Sequence, residues 1–472
     1  VEPSPLRRSR NQNIRGGRNV SCATARSGHQ KPKTIEYSST RSIDSAVIWR
    51  RKVTSAVRSN GAPACRTRGN NGNVKNGHMD CYVLRKIPGG HVDFGWTQEQ
   101  TTLRSGAVEF ATRILADGVI ERDRQGVFSR DLWDACAEFG LQGIMVPEDW
   151  NGAGHDLLSA VAVLEGIGYG ARDNGLVFAI TAHAASCEGP LSEFGNDEQK
   201  HQWLPKLADG SAIGATGITE PDSGSNALAL STTAVENRGD WLLNGSKTFV
   251  TNAPVADLFL IYARTGGSGF AGITCFLIPR DSKGLTIGPP IEKMGLRTSS
   301  LAQIYLENCR IPASAVIGGV GSGAMIFNQT MDLERLFVMA PAIGVMERLL
   351  ERCIEHARQR TAGSVPIGKH QSIAHRIADM ELKLESTRLM LYRAAWHRMN
   401  HGSATRESAL AKLAISEAYV ACCRSAVQIF GGYGYMVEYE LERELRDALA
   451  TTLYVGTSEI QRNLIAGLRG LG

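Results

Sequence analysis

The chain has 472 residues, 43% hydrophobic and 21% charged, enough for two or three domains with buried cores. Its formal net charge of +5 hides a division: residues 1–91 hold 18 Lys and Arg against 4 Asp and Glu, and the remainder 34 against 43. No apolar run reaches membrane-spanning length, so no membrane span is expected; the ten cysteines form no CxxC pair and no Cys/His ligand spacing, which argues against a structural zinc site or a disulfide framework and suits a reducing compartment.

Residues 1–91 are rich in Arg, Ser, Asn and Gly and lack periodicity, the composition of a disordered basic extension. The chain opens on Val and its first Met is Met79. The leading expectation is a true start at Met79 or Val92, ahead of an acid-poor transit peptide. Nucleic-acid binding ranks third, because no aromatic residues interleave the charge. A cytoplasmic location follows, or the mitochondrial matrix if the extension is a transit peptide.

From Val92 the chain reads as globular. Over 92–212 the segments TQEQTTLRSGAVEFATRIL, SRDLWDACAEFG and LLSAVAVLEGIGYG carry apolar residues at helical spacing, PEDWNGAG is a loop, and NDEQKHQWLPKLADG is a capped helix ending at Gly210. Over 213–323 the pattern becomes short β-branched and aromatic runs (WLLNGSKTFVTN, DLFLIYAR, GITCFLIP, LAQIYLENCRI) between Gly, Pro and Asn, the mark of a small β-domain. The glycine-rich GGVGSG at 318–323 lacks the spacing and βαβ context of a phosphate loop and reads as an interdomain turn. From 324 to 472 helices return. The expected fold is therefore α+β and mostly α: a helical domain, a small barrel or sheet, and a second helical domain.

The most informative stretch is Ala324–Arg360, one long helix apolar on more than one side and hence mostly buried. Glu334 stands within it, and its neighbours three and four positions away are Thr330, Met331, Phe337 and Val338. None of these forms an ion pair with it. A carboxylate in such surroundings has a raised pKa, which suits a proton-abstracting base. Asp332 and Arg335 are spaced to serve one another.

Six segments in order, GITEPDSGSN (217–226), SKTFVTN (246–252), DLER (332–335), PIGKHQ (366–371), QIFGGYGY (428–435) and RDALATTLYVGTSEIQR (446–462), resemble the FAD-dependent acyl-CoA dehydrogenases over residues 92–472. The resemblance implies the same helical, β and four-helix-bundle architecture. It implies that Ile218, Thr219, Ser225, Phe249 and Thr251 meet the flavin, with Ser225 also at the substrate's pantetheine arm. Phe249 stands where the family usually has Trp, which keeps the flat face and loses the indole donor. Arg360, Gln371, Gln428, Gly431 and Gly432 resemble residues reaching the dinucleotide from a neighbouring subunit, and Thr457 and Glu459 complete the cofactor site. Here Gly363 and Ser364 replace the family's Phe-Gly. A homo-oligomer, tetramer or dimer, is implied.

Many family members carry the catalytic Glu in a Tyr-Glu-Gly-Thr-Ser segment. This chain has Val455 there, between Tyr454 and Gly456. Isovaleryl- and long-chain-type members place the Glu on the long helix, at the position of Glu334. The resemblance then implies FAD-dependent α,β-dehydrogenation of an acyl-CoA or acyl carrier protein thioester, with Glu334 as base. The backbone at Val455 and Gly456 polarises the thioester, Asp332 and Arg335 hold the carrier's arm, and an electron-transfer flavoprotein is the acceptor. Two other readings stand beside it: a flavin oxidase or monooxygenase of the same fold, and a non-catalytic interaction protein.

Overall fold

The computed structural model describes residues 95–471 except positions 228, 267 and 268; the basic stretch 1–91, with the expectations placed on it, lies outside them. After Trp96 the apolar periodicity becomes α1 (Gln98–Ile114), α2 (Val119–Gln125), α3 (Arg130–Phe139), α4 (Leu157–Gly170), α5 (Asn174–Ala182), α6 (Gly189–Phe194) and α7 (Asp197–Ala208). Short polar side chains set the starts: Thr97, Ser129, Asp156, Asp173 and Asn196 each accept a backbone N–H from the first turn. Between α5 and α6 the chain widens into a π-helical turn, His183–Glu188, every residue of which is buried. Wide turns of this kind recur at functional sites.

Eight strands follow in one mixed sheet of order β6-β7-β3-β2-β4-β5-β8, with β1 (Gly214–Gly217) parallel to β4 (Leu258–Arg264). The long pair β3 (Asp240–Thr251) and β7 (Leu301–Pro312) is antiparallel, with register breaks at Leu243/Gly245 and Lys247/Val250. Strands β5 (Ile273–Pro279) and β8 (Val316–Ile317) extend the other side. Four of the eight strands, β1, β8 and the two that follow, lie outside the runs marked in the sequence. β2 (Thr233–Asn237) has one buried side chain, and β6 (Leu285–Pro290) ends on two prolines, tolerated because it lies at the sheet edge.

The second helical part is built on α8 (Gly323–Gln359), with α9 (Gln371–His401), α10 (Thr405–Phe430), α11 (Leu441–Ala450) and α12 (Ser458–Gly467). Contrary to expectation, α10 with the turn after it (Thr405–Tyr435) is long and apolar enough to cross a membrane by length and composition. It is instead packed against α8 and α9, with residues such as Ile415, Tyr419 and Cys423 in the core.

Two features lock α8 against the first helical part. Gly168 of α4 and Gly344 of α8 bring the backbones into contact: a Cβ on Gly168 would lie 2.0 Å from the Pro341 carbonyl oxygen, and one on Gly344 2.0 Å from that of Glu165. Beside this crossing a cluster of charges joins four helices. Glu165 accepts from Arg104 at 3.3 Å, Arg388 at 3.1 Å and Tyr392 at 3.0 Å, and Glu347 accepts from both arginines.

Candidate active site

Glu334 lies where all three parts of the chain meet. It is half-buried on α8, hydrogen-bonded to Ser186 of the π-helical turn, and its charge acts on Tyr262 of β4 and on Tyr454. Burial pushes its carboxyl up to about 7, against the downward pull of the Ser186 hydrogen bond and of the Arg335 charge. Such a group is ionised in half its molecules near neutrality, the condition that suits a general base. No sequence signal points to Ser186, which reaches Glu334 only through the packing of the π-helical turn on α8.

Val455 and Gly456 form a turn between Tyr454 and α12, with φ values of +52 and +89. A β-branched residue in this region is strained. The turn is held from behind. Gln461 Nε2 donates to both carbonyls at 3.0 Å, and the Lys412 ammonium, fully buried, donates to the Gly456 carbonyl at 2.7 Å. Because a peptide's carbonyl and N–H point opposite ways, anchoring the Val455 carbonyl turns the Gly456 N–H away from Gln461. Neither Lys412 nor Gln461 stands out in the sequence, where Lys412 shares its helix face with Ser408 and Ser416.

The expected flavin-facing residues gather at the end of β3. The register break there places Phe249 at φ +54 and leaves the residue 63% exposed. Beside it the Thr248 N–H donates to the Thr219 carbonyl at 2.8 Å, which brings half-buried Ile218 and Thr219 alongside; Thr251 is half-buried and Ser225 exposed. The loop is organised by Glu220, absent from the expected set. Its carboxylate accepts from Lys247 at 2.7 Å, from the Ser231 N–H at 2.6 Å and hydroxyl at 2.5 Å, and from the Thr232 N–H at 3.0 Å. Burial pulls its pKa upward, but these hydrogen bonds prevail and hold it near 2. An aromatic ring displayed outward from a strained bulge, next to a rigid loop, fits a flat uncharged ring system such as isoalloxazine.

A second cluster forms where α8 ends. The Arg360 guanidinium lies 5.6 Å from the centre of the Tyr433 ring, in the turn containing Gly431 and Gly432, and His356 stacks on Phe430 at 4.0 Å. Arg360, Gln371, Gln428, Gly431 and Gly432 are all exposed. Thr457 caps α12 by accepting the Ile460 N–H at 3.3 Å, and Glu459 is exposed in the first turn.

Asp332 behaves differently from expectation. Its Oδ2 accepts from the Ser403 hydroxyl, the Ala404 N–H and the Thr405 hydroxyl at 3.3, 3.1 and 2.9 Å; its Oδ1 accepts from Ser408 and from Arg335. The residue is 2% exposed. This carboxylate organises the start of α10 and has no free oxygen for a carrier's arm. Arg335 keeps a buried Nε without a partner.

Known proteins share this fold. Three family models match in sequence: acyl-CoA dehydrogenase N-terminal domain at 97–211, middle domain at 215–309 and C-terminal domain at 321–467. The chain belongs to the acyl-CoA dehydrogenase family, and its cofactor is FAD. It is 41% identical to L-prolyl-[peptidyl-carrier protein] dehydrogenase of Pseudomonas fluorescens, over 72% of this chain and 90% of that protein. It is 39% identical to the mitochondrial short-chain specific acyl-CoA dehydrogenase of Rattus norvegicus, over 77% and 88%. Among solved structures, PigA with FAD and proline superposes with a TM-score of 0.79 at 37% identity, over 80% of this chain and 99% of that one.

Proposed function

We propose that the chain catalyses α,β-dehydrogenation of a small acyl thioester to the trans-2-enoyl thioester, with Glu334 as the base. The observation that carries this reading is the Glu334 carboxyl, pushed up to about 7 where the π-helical turn, β4 and the 454–456 segment converge. Glu334 takes the α-proton of the substrate. The strained turn at Val455 and Gly456 offers backbone N–H groups to the thioester oxygen, which makes that proton acidic enough to remove. FAD, when bound, supplies the two-electron acceptor for the β-hydrogen. Ile218, Thr219, Ser225, Phe249 and Thr251 hold its ring. Arg360, Gln371, Gln428, Gly431 and Gly432, exposed on one copy, serve the dinucleotide of a second copy in a homo-oligomer, and Thr457 and Glu459 border the same site. Arg335 orients the carrier's arm, and an electron-transfer flavoprotein takes the electrons onward.

Space near α8 favours a short acyl group. A cavity of about 30 Å3 is lined by Phe178, Thr181, Val338, Pro341 and Tyr454 among others, room for about two waters rather than a chain. The names of the relatives above, prolyl and short-chain, support the same size. The test is an anaerobic titration of the FAD-loaded protein with butyryl-CoA, longer acyl-CoAs and a prolyl-loaded carrier protein, following the flavin absorbance. Bleaching by a short thioester in the wild type and none in Glu334→Gln is expected. A spectrum indifferent to every thioester would sink the reading, and rapid oxygen consumption without a thioester would favour an oxidase.

A further inference from the structure

Between the π-helical turn and α8 lies a cavity of about 420 Å3, lined by Ala184 and Glu188 of the turn and by Leu333 and Phe337. Ser186 touches Glu334 and Glu188 lines this cavity; residues two apart do not share a helix face, so the two side chains leave the turn in different directions. The walls are mainly apolar, with Ile144, Val146, Leu157, Leu333, Phe337 and Met399 among them. Four charged groups also line it. Asp156 caps α4 through the Ser159 N–H at 2.7 Å, and Arg398 reaches Glu193 at 3.5 Å and donates to the Gly402 carbonyl.

Glu188 is the group left over. It is 2% exposed, and its buried Oε1 has no hydrogen-bond partner. His183 Nε2 lies 3.4 Å from that oxygen. However, the Gly214 N–H occupies His183 Nδ1 at 2.8 Å, which leaves the ring proton on Nε2, and the Leu207 carbonyl accepts it at 3.2 Å. Burial pushes the Glu188 carboxyl above its ordinary pKa, against the pull of His183, and a cation placed beside it restores the charged form that the apolar surroundings disfavour. The cavity is also of the size that holds a small molecule.

We propose that this cavity binds a small amine with an apolar body, its ammonium held by the Glu188 carboxylate and its hydrocarbon part against Leu333 and Phe337. The proposal does not rest on the reaction assigned to Glu334. It is tested by calorimetric titration of the FAD-loaded protein with benzylamine, and with benzyl alcohol as its uncharged counterpart. The wild type is expected to bind benzylamine at least about tenfold more tightly than the alcohol, since a charge-assisted hydrogen bond is the stronger kind. Glu188→Gln, close in shape, is expected to bring the two within about twofold of each other. Ala184→Leu, which fills the cavity and leaves Glu188 in place, is expected to weaken both. Equal binding of the two probes by the wild type, no binding of benzylamine, or an amine affinity that Glu188→Gln leaves unchanged would overturn it.

Discussion

At the scale of single residues, the raised pKa of Glu334 makes three outcomes measurable. Replacing it by Gln should lower the rate of flavin reduction by about 10²–10⁴-fold, the usual contribution of a general base. In the wild type that rate should climb with pH through about 7 and level off above it, as the base ionises. Stability should respond in the opposite sense. The folded-state pKa lies above the ordinary value of 4.5, so the penalty for an ionised Glu334 is absent below about 4.5, grows between the two values and is complete above about 7. Glu334→Gln should therefore raise the unfolding free energy at pH 8 by about 1–3 kcal/mol, and leave it unchanged at pH 4; equal shifts at both would contradict the assignment of that pKa. At Val455, relief of the φ +52 strain predicts that Val455→Gly stabilises by about 1 kcal/mol, the backbone strain outweighing glycine's entropy, read by thermal unfolding. The lack of an ion-pair partner for Glu334 on its own helix was legible in the sequence, because none of Thr330, Met331, Phe337 and Val338 carries a charge. Ser186 was not, since nothing local links it to residue 334.

At the scale of elements, the Glu220–Lys247 pair decides whether the loop from Ile218 to Thr232 keeps its shape. Glu220→Gln would leave the Lys247 ammonium, with no side-chain exposure, without its counter-charge. Breaking a buried pair from one side destabilises by about 3–5 kcal/mol, and the variant should purify with less FAD. The folded-state pKa of Glu220, about 2, lies below its ordinary 4.5. Its contribution is thus fully present above about 4.5 and is lost as pH falls toward 2, and acid unfolding of Glu220→Gln should flatten in that window. The long helix α8 was legible from periodicity nearly to its ends: 324–360 expected, Gly323–Gln359 found. The widened turn at 183–188 was not, because a π-helical turn has the composition of an ordinary helix. β6 was hidden by its prolines.

At the scale of the whole molecule, the succession of helices, sheet and helices was legible because hydrophobic periodicity changes near 213 and again near 324. How the parts meet was not, since contacts such as Gly168 with Pro341 or Lys412 with Gly456 join residues far apart in the chain. The Gly168–Gly344 crossing predicts that Gly344→Ala destabilises by about 1–3 kcal/mol through overpacking, measured as a fall in unfolding midpoint; an unchanged midpoint would show that the helices can separate. The same crossing has a consequence for how substrate preference can change. Main-chain atoms meet there with no side chain between them, so α4 and α8 cannot be drawn apart or slid by exchanging residues of different size. The spacing between α4 and the part of α8 that carries Glu334 is in effect a constant of the scaffold. A homologue accepting a bulkier acyl group on this framework would have to hollow out positions such as Phe178 or Val338, rather than widen the gap between the helices.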